Sequence, residues 1–318
     1  MVPKRVSLPY PPATESMLAA RGGAAEGVAA AESIGEMVGR HEELRRSLEL
    51  LEAEVTFLAN ESQCGATLDT QHVELYDGTL GVSREFVRNF SPPVGQLQWL
   101  DDLPERFAGP GQSPGDVNGA RWGSGALIDR DFFITAGHCF DRGGGGWVRP
   151  KRDGVTISED EIATLMRVNF NYQLDAQTGD LRRGDSFPVL RLLEFRRGGL
   201  DYAIAQLGRN ADGEVPGEKY GTLVVAGVDL TAGGSVLCVI QHPNGEPKKI
   251  EAGPLLEYDD GRLLYDSIDT FGGSSGSAIL NGETGEVVGV HTNGGCSAFS
   301  GANFGVAIGA IRHISNIL

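Results

Sequence analysis

Residues 269–280 read DTFGGSSGSAIL, a turn rich in glycine and serine that runs directly into an apolar strand. The glycines before Ser275 let the backbone turn its amide groups toward one point, and Gly276 after it leaves the hydroxyl uncrowded. A nucleophilic serine requires both features. A Gly-x-Ser-Gly string is weak by itself, because serine and glycine also fill ordinary turns. The interpretation therefore depends on partner residues elsewhere in the chain.

Two further motifs supply these partners. Residues 132–139 read FFITAGHC, an apolar run that delivers His138, and residues 200–207 read LDYAIAQL, an alternating strand pattern that opens with Asp201. His138, Asp201 and Ser275 predict an acyl-transfer triad, in which the histidine accepts the serine proton and the aspartate orients the imidazole. The chain order His, Asp, Ser excludes the nucleophile elbow of the α/β-hydrolases, which needs Ser, acid, His.

The three motifs resemble those of the chymotrypsin-like serine peptidases, over roughly residues 90–318. The resemblance implies a mainly β fold: a chymotrypsin-like double β-barrel with a C-terminal helix. It also implies an endopeptidase that cleaves protein or peptide substrates through an acyl-enzyme, with no cofactor and no metal. The oxyanion hole would be formed by the backbone amides of Gly273 and Ser275. The strings at 269–277 and 290–295 most resemble the bacterial glutamyl endopeptidases.

Within this resemblance, several residues are expected to bind the substrate. Thr270 and His291 match positions that contact a glutamate side chain, and a hydroxyl and an imidazole do offer donors to an acid. Asp269 stands six residues before the nucleophile, where trypsin-like enzymes place the acid that selects lysine or arginine. Thr292 matches the residue that supports the catalytic aspartate, and Gly294 matches one whose backbone pairs with an extended substrate. Cleavage after glutamate is slightly favoured over cleavage after lysine or arginine.

The rest of the pattern predicts one catalytic domain with an N-terminal extension. The 46 glycines among 318 residues, together with β-branched runs, are typical of a turn-rich β domain. We expect this domain at residues 63–318, with a first barrel at about 92–207, a second at about 217–305 and a closing helix at 306–318.

Residues 1–62 differ in pattern from the domain that follows. Residues 1–30 are rich in Pro, Ala and Gly and are expected to be loose. Apolar spacings that alternate between three and four then predict an amphipathic helix over residues 31–60. Its stripe consists of Ile34, Met37, His41, Leu44, Leu48, Leu51, Val55 and Leu58. The helix either lies along the catalytic domain or forms a coiled coil that mediates a homodimer or binds a regulatory partner.

Charge and cysteine content limit the partners and the location. The net charge of −16 argues against nucleic acid and anionic membranes as partners. Secreted relatives pair the cysteine after the catalytic histidine with one in the preceding strand, which has none here. The four cysteines, Cys64, Cys139, Cys238 and Cys296, are therefore expected to be free thiols of a cytoplasmic protein, with a Cys238–Cys296 pairing as the alternative.

Three functions compete at this level. The first is a serine endopeptidase regulated by its N-terminal segment or by a partner. The second is a catalytically idle, protease-like binding module, which the intact triad residues argue against. The third is a scaffold in which residues 31–60 carry the function and proteolysis only trims partners.

Overall fold

The computed structural model describes residues 63–144, 146–297 and 300–318. The predicted helix at 31–60 lies outside these residues. The strands are β1 (Gln71–His72), β2 (Val94–Trp99), β3 (Gln112–Ser113), β4 (Arg121–Leu127), β5 (Phe132–Thr135), β6 (Lys151–Arg152), β7 (Val155–Thr156), β8 (Met166–Phe170), β9 (Asp185–Arg196), β10 (Tyr202–Leu207), β11 (Val236–Gln241), β12 (Lys249–Pro254), β13 (Glu257–Asp259), β14 (Arg262–Tyr265), β15 (Ala278–Asn281), β16 (Val287–Asn293) and β17 (Asn303–Ala307). The α-helices are α1 (Arg84–Phe90), α2 (Leu103–Arg106), α3 (Glu159–Thr164), α4 (Pro216–Tyr220) and α5 (Ile308–Arg312). Within the described ranges, each helix is too short or too polar to span a bilayer.

The first half of the described chain forms a closed β-barrel. Its strands follow the order β10, β5, β4, β2, β8 and β9, and β9 pairs with β10 to close the ring. The interior is filled by large apolar side chains, among them Leu97, Trp99, Phe133, Phe170 and Phe187. Closure pairs the edge strands with each other, so that the barrel has no open edge.

The second half forms an eight-stranded sheet. Its order is β1, β12, β11, β15, β16, β17, β14 and β13, with antiparallel pairing throughout. Leu237, Ile240, Ile279 and Val290 lie in its core. Strand β1 precedes the first barrel in sequence but pairs with β12, so residues before the barrel become part of the second sheet. This architecture confirms the mainly β prediction and is consistent with the predicted chymotrypsin-like fold.

The C-terminal helix is shorter than the predicted 306–318. Val306 pairs with Arg262, and Ala307 pairs with Gly289, so both residues belong to β17. Helix α5 therefore begins at Ile308 and ends at Arg312. The apolar residues that suggested a longer helix include residues of β17. Buried positions at the end of a strand can continue directly into those of a helix, so the spacing does not show where one ends and the other begins.

Candidate active site

Strand pairing brings His138 and Asp201 to the same edge of the first barrel. Strand β5 ends at Thr135 and β10 begins at Tyr202, and the two strands are antiparallel neighbours. A short 3-10 helix directly after β5 carries His138. The imidazole Nδ1 lies 2.6 Å from Oδ2 of Asp201, and the backbone N–H of His138 donates to Oδ1 at 2.7 Å. The buried carboxylate thus holds both the ring and the backbone of the histidine.

An arginine that the sequence analysis missed supports Asp201. The Nη1 atom of Arg197 lies 3.2 Å from Oδ1 of Asp201, and its Nη2 atom lies 2.5 Å from Oδ2 of Asp141. Burial acts to raise the pKa of Asp201, but the charge of His138, its hydrogen bonds and Arg197 outweigh this effect and hold that pKa below its usual value. Burial raises the pKa of Asp141 to about 6. The position of Arg197, four residues before Asp201, is the one sequence feature that could have suggested the contact.

Thr292 does not make the contact that its sequence position predicts. The residue is buried, but its Oγ1 atom forms no hydrogen bond within the described residues. Arg197 and the backbone of His138 occupy Oδ1 of Asp201 instead.

Ser124 ties the loop of Ser275 to the first barrel. Its backbone N–H donates to the carbonyl of Ser275 at 2.9 Å, and its hydroxyl donates to the carbonyl of Gly273 at 2.7 Å. The hydroxyl of Thr135, at the end of β5, donates in turn to the carbonyl of Ser124 at 2.7 Å. The strand that leads to His138 and the loop that carries Ser275 are therefore joined by one hydrogen-bonded chain. A lone serine between two glycines of β4 was the only sequence feature that marked this residue.

The backbone before Ser275 has the conformation that an oxyanion hole needs. Gly273 has a φ of 96°, which favours glycine. The carbonyl of Gly272 accepts a hydrogen bond from the N–H of Asn244, so the N–H of the same planar peptide, on Gly273, points the opposite way. The amides of Gly273 and Ser275 donate to no group among the described residues. Both donors are available to a third group, as predicted for an oxyanion.

Gly273→Ala is expected to lower kcat by about a hundredfold or more, because it disturbs one of these two donors. A Cβ at this position would lie 2.7 Å from the carbonyl oxygen of His242 and 3.0 Å from the N atom of Gly245. The positive φ adds backbone strain. Steady-state kinetics on a peptide substrate provide the measurement. Gly227→Ala is the matched control, since a Cβ there meets open space, and equal activity of the two variants would contradict the assignment of Gly273.

The other residues predicted to bind substrate lie around this loop. Thr270 is fully buried, and its hydroxyl has no partner among the described residues. His291 is buried, and its Nδ1 atom lies 2.5 Å from the hydroxyl of Tyr265. Burial lowers the pKa of His291 to about 3, so this imidazole is neutral. Gly294 directly follows β16, and its amide donates no hydrogen bond within the described ranges.

Asp269 is engaged by the segment that precedes β1. Its Oδ1 atom accepts the N–H of Cys64 at 2.6 Å, and its Oδ2 atom accepts the N–H of Asp69 at 3.3 Å. Burial raises the pKa of the Asp269 carboxyl, and these two hydrogen bonds act against that shift. The residue thus anchors a backbone segment 200 or more positions away in sequence, which its motif did not predict.

A disulfide holds the same segment, contrary to the predicted free thiols. Cys64 is bonded to Cys296, which follows β16. Cys139 and Cys238 are buried free thiols, so the alternative Cys238–Cys296 pairing is wrong as well. The prediction of free thiols was wrong because it considered only the cysteine pairings that are usual in relatives. The observed bond joins residues 232 positions apart in sequence.

A second carboxyl, Glu251 on β12, lies buried within electrostatic range of Asp269. Its Oε2 atom has no hydrogen-bond partner among the described residues. Burial, reinforced by the charges of Asp269 and Asp69, raises the pKa of Glu251 to about 9, so this carboxyl is neutral at pH 7. No group of three or more His, Cys, Asp or Glu side chains in the described part of the chain is arranged to hold a metal ion.

Glu251→Gln is expected to stabilise the protein at neutral pH but not in acid. The pKa of Glu251 is about 9 in the folded state against a usual 4.5, so the folded state retains a proton that the unfolded state releases between these values. The contribution of this carboxyl to the free energy of unfolding is therefore greatest below pH 4.5 and decreases as the pH rises toward 9. Near pH 4, the variant and the wild type should therefore have the same free energy of unfolding. At pH 7, the free energy of unfolding should be higher in the variant by about 3 kcal/mol.

Urea unfolding at several pH values measures this difference. Glu257→Gln is the control, because Glu257 is an exposed carboxylate on β13. A Glu251→Gln effect of equal size in acid and at neutral pH would show that the buried proton is not its cause.

Comparison with known proteins finds similarity to solved structures and to one family model. Among solved structures, the serine endoprotease from Yersinia pestis is 16% identical with a TM-score of 0.46, over 72% of this chain and 64% of that chain. The protease Anisep from Arthrobacter nicotinovorans is 17% identical with a TM-score of 0.44, over 69% of this chain and 91% of that one. This chain thus spans less than two thirds of the Yersinia enzyme, and no curated protein sequence matches it. The model of the trypsin-like peptidase domain matches residues 123–290, more than half of the 318 residues. The chain therefore belongs to the family of the trypsin-like peptidase domain.

Proposed function

We propose that this protein is a serine endopeptidase that hydrolyses peptide bonds through an acyl-enzyme. The observation that carries the proposal is the buried hydrogen bond of 2.6 Å between Nδ1 of His138 and the carboxylate of Asp201. It stands beside the loop of Ser275, in which the amides of Gly273 and Ser275 donate to no group among the described residues. Family membership supports proteins as substrates.

Each residue of the proposed site has a defined role. Ser275 attacks the scissile carbonyl while His138 accepts its proton, and His138 then returns that proton to the leaving amine. Asp201 keeps the second proton of the imidazole on Nδ1 and stabilises the positive charge that forms. The amides of Gly273 and Ser275 stabilise the oxyanion, each contributing about 3 kcal/mol to the transition state. Water then attacks the carbonyl of the acyl-enzyme while His138 accepts its proton, and His138 returns that proton to Ser275 as the acyl group leaves.

We propose a preference for glutamate before the scissile bond. The carboxylate of Asp269 already accepts two backbone N–H groups, so it is a poor partner for a lysine or arginine side chain. The unpartnered hydroxyl of Thr270 and the neutral imidazole of His291 are potential donors to a carboxylate. The competing proposal is cleavage after lysine or arginine, through the negative potential of Asp269.

Matched peptides that differ only at this position test the preference. We expect kcat/KM to be at least tenfold higher for a glutamate peptide than for its glutamine counterpart, since hydrogen bonds from these donors to a carboxylate are charge-assisted and those to a neutral amide are not. Thr270→Val, which removes the hydroxyl but keeps the shape, should reduce that ratio. Faster cleavage after arginine would reject the glutamate preference and leave the peptidase proposal intact.

Regulation and location are further proposals. We propose that residues 31–60 control activity, either within one chain or through a homodimer or a partner protein. Comparing kcat/KM of the full chain with that of a chain beginning at residue 63 tests this, and equal values would reject control by the segment. A cytoplasmic location stays a prediction, and the Cys64–Cys296 disulfide removes part of its basis. Cell fractionation would decide it.

A further inference from the structure

A cavity of about 510 Å³ lies outside the proposed catalytic residues. Its walls come from the segment after β1, from α1, from the loop between β8 and β9, from Tyr220 at the end of α4, and from Lys248 just before β12. We call it the arginine pocket, after Arg84, Arg88 and Arg182 in its wall. None of the triad residues or predicted substrate-binding residues lines it. Its size falls within the range of about 300–1,000 Å³ that is typical of small-molecule sites.

The arginine pocket is cationic in a strongly acidic chain. Its wall contains three arginines and Lys248 but only one acid, Glu74, whereas the whole chain has a net charge of −16. Arg182 is neutralised, because it lies 2.9 Å from Glu74 and 3.2 Å from Asp175. The positive charge that remains comes from Arg84, Arg88 and Lys248.

Arg84 and Arg88 are accessible to a ligand, and the one carboxylate whose pKa is lowered by the charge of Arg84, among the described residues, is Asp77. They lie four residues apart on α1, so their side chains emerge from the same face of the helix. Both are exposed, and neither forms an ion pair or a hydrogen bond to any residue that the structure describes. Two like charges at this spacing repel each other in the absence of an anion.

Lys248 places a third donor at the base of the pocket. Its side chain is fully buried, and its Nζ atom donates to the carbonyl of Ser91 at 2.8 Å. An ammonium group has three protons, so this bond leaves two of them for another acceptor. Burial lowers the pKa of Lys248 to about 7, since Glu74 offsets the loss of solvation only in part. A bound anion would compensate this buried charge.

We propose that the arginine pocket binds a small molecule that carries a phosphate group. The two guanidinium groups and the ammonium group line one cavity and together supply several N–H donors and more than one positive charge. This set suits the three terminal oxygens and double charge of a phosphate better than the two oxygens of a carboxylate. The cavity is larger than the anion alone requires. Val73, Tyr76 and Pro92 line the remaining volume and provide an apolar surface for an organic part of the ligand.

Calorimetric titration of the full-length protein with phenyl phosphate tests the proposal. Inorganic phosphate, benzoate and phenol are titrated in parallel at constant ionic strength. We expect phenyl phosphate to bind at least tenfold more tightly than inorganic phosphate or benzoate, and phenol not to bind. Arg84→Gln/Arg88→Gln should weaken the binding of phenyl phosphate at least tenfold, because each substitution removes a charge-assisted hydrogen bond between a guanidinium group and the phosphate.

The matched control is Arg191→Gln/Arg209→Gln, which removes the same charge from two exposed arginines outside the pocket. This variant should bind phenyl phosphate as the wild type does. Equal weakening in both double variants would overturn the proposal, because it would show that only net charge matters. Absence of phenyl phosphate binding, or tighter binding of benzoate, would overturn it as well. Thermal unfolding of each variant checks that a loss of binding does not result from a loss of folded protein.

Discussion

Replacing Ser275 with alanine is expected to lower kcat for peptide hydrolysis by about five to six orders of magnitude. The proposed reaction requires a covalent bond from the Oγ atom of this residue to the substrate carbonyl, and alanine has no such atom. The backbone N–H and hydroxyl of Ser124 donate to the carbonyls of Ser275 and Gly273, and the N–H of Gly276 donates to the carbonyl of His291. The substitution leaves these bonds intact. The loss should therefore be in the chemical step, and KM should change little.

Ser267→Ala is the matched control for this experiment. Ser267 is an exposed serine in the same connection between β14 and β15. Its removal should leave kcat and KM at wild-type values. Appreciable turnover by the Ser275→Ala variant would show that another residue is the nucleophile.

Asp201→Asn is expected to lower kcat by about ten thousandfold without unfolding the site. The Oδ1 atom of Asp201 accepts from two donors, the backbone N–H of His138 and the guanidinium of Arg197. The oxygen of the asparagine must take this position, which turns its amino group toward Nδ1 of His138. Nδ1 then has to accept, so the imidazole proton moves to Nε2. That tautomer cannot take the proton of the serine.

Steady-state kinetics and thermal unfolding together check this prediction. Asp129→Asn is the control, since Asp129 is exposed in the turn between β4 and β5 and should be neutral for activity. A small effect of Asp201→Asn on kcat would contradict a role for the carboxylate in setting the tautomer. A large loss of stability would instead indicate that the negative charge of Asp201 matters mainly for folding.

The sequence was sufficient to predict that His138 and Asp201 lie together, because the motifs that carry them are local. His138 and Asp201 each lie at one end of a strand, and β5 and β10 are neighbours in the barrel, so two correct strand predictions bring the residues together. Ser275 lies between Gly273 and Gly276, which both have positive φ values, in agreement with the flexible backbone expected of this motif. The mainly β class followed from the same alternating runs.

The surroundings of the site could not be predicted in this way. Ser124 contacts Gly273 across 149 positions, and the N–H of Cys64 reaches Asp269 across 205. Such contacts depend on how distant segments pack against each other in the fold. The periodic pattern of a single segment does not predict this packing. Arg197 was missed for a different reason: an arginine beside a strand usually faces solvent, whereas this one forms ion pairs with the buried Asp201 and the half-buried Asp141.

The disulfide and Asp269 show the same limit at the predicted specificity residues. By its motif alone, Asp269 could serve either a glutamate-selective or a lysine-selective enzyme. Its two backbone partners, Cys64 and Asp69, belong to a segment that precedes the first predicted barrel. That segment is also joined to Cys296 by the disulfide, and no motif in the segment indicated either contact.

Labelling of the purified full-length protein by a fluorophosphonate probe tests the central claim most directly. The probe reacts with a serine only where a base and an oxyanion hole are assembled around it. We predict stoichiometric labelling at Ser275, retained in Ser267→Ala and lost in both Ser275→Ala and Asp201→Asn. Absence of labelling in the wild-type protein and in the chain that begins at residue 63, or labelling that persists in Ser275→Ala, would contradict the proposed triad.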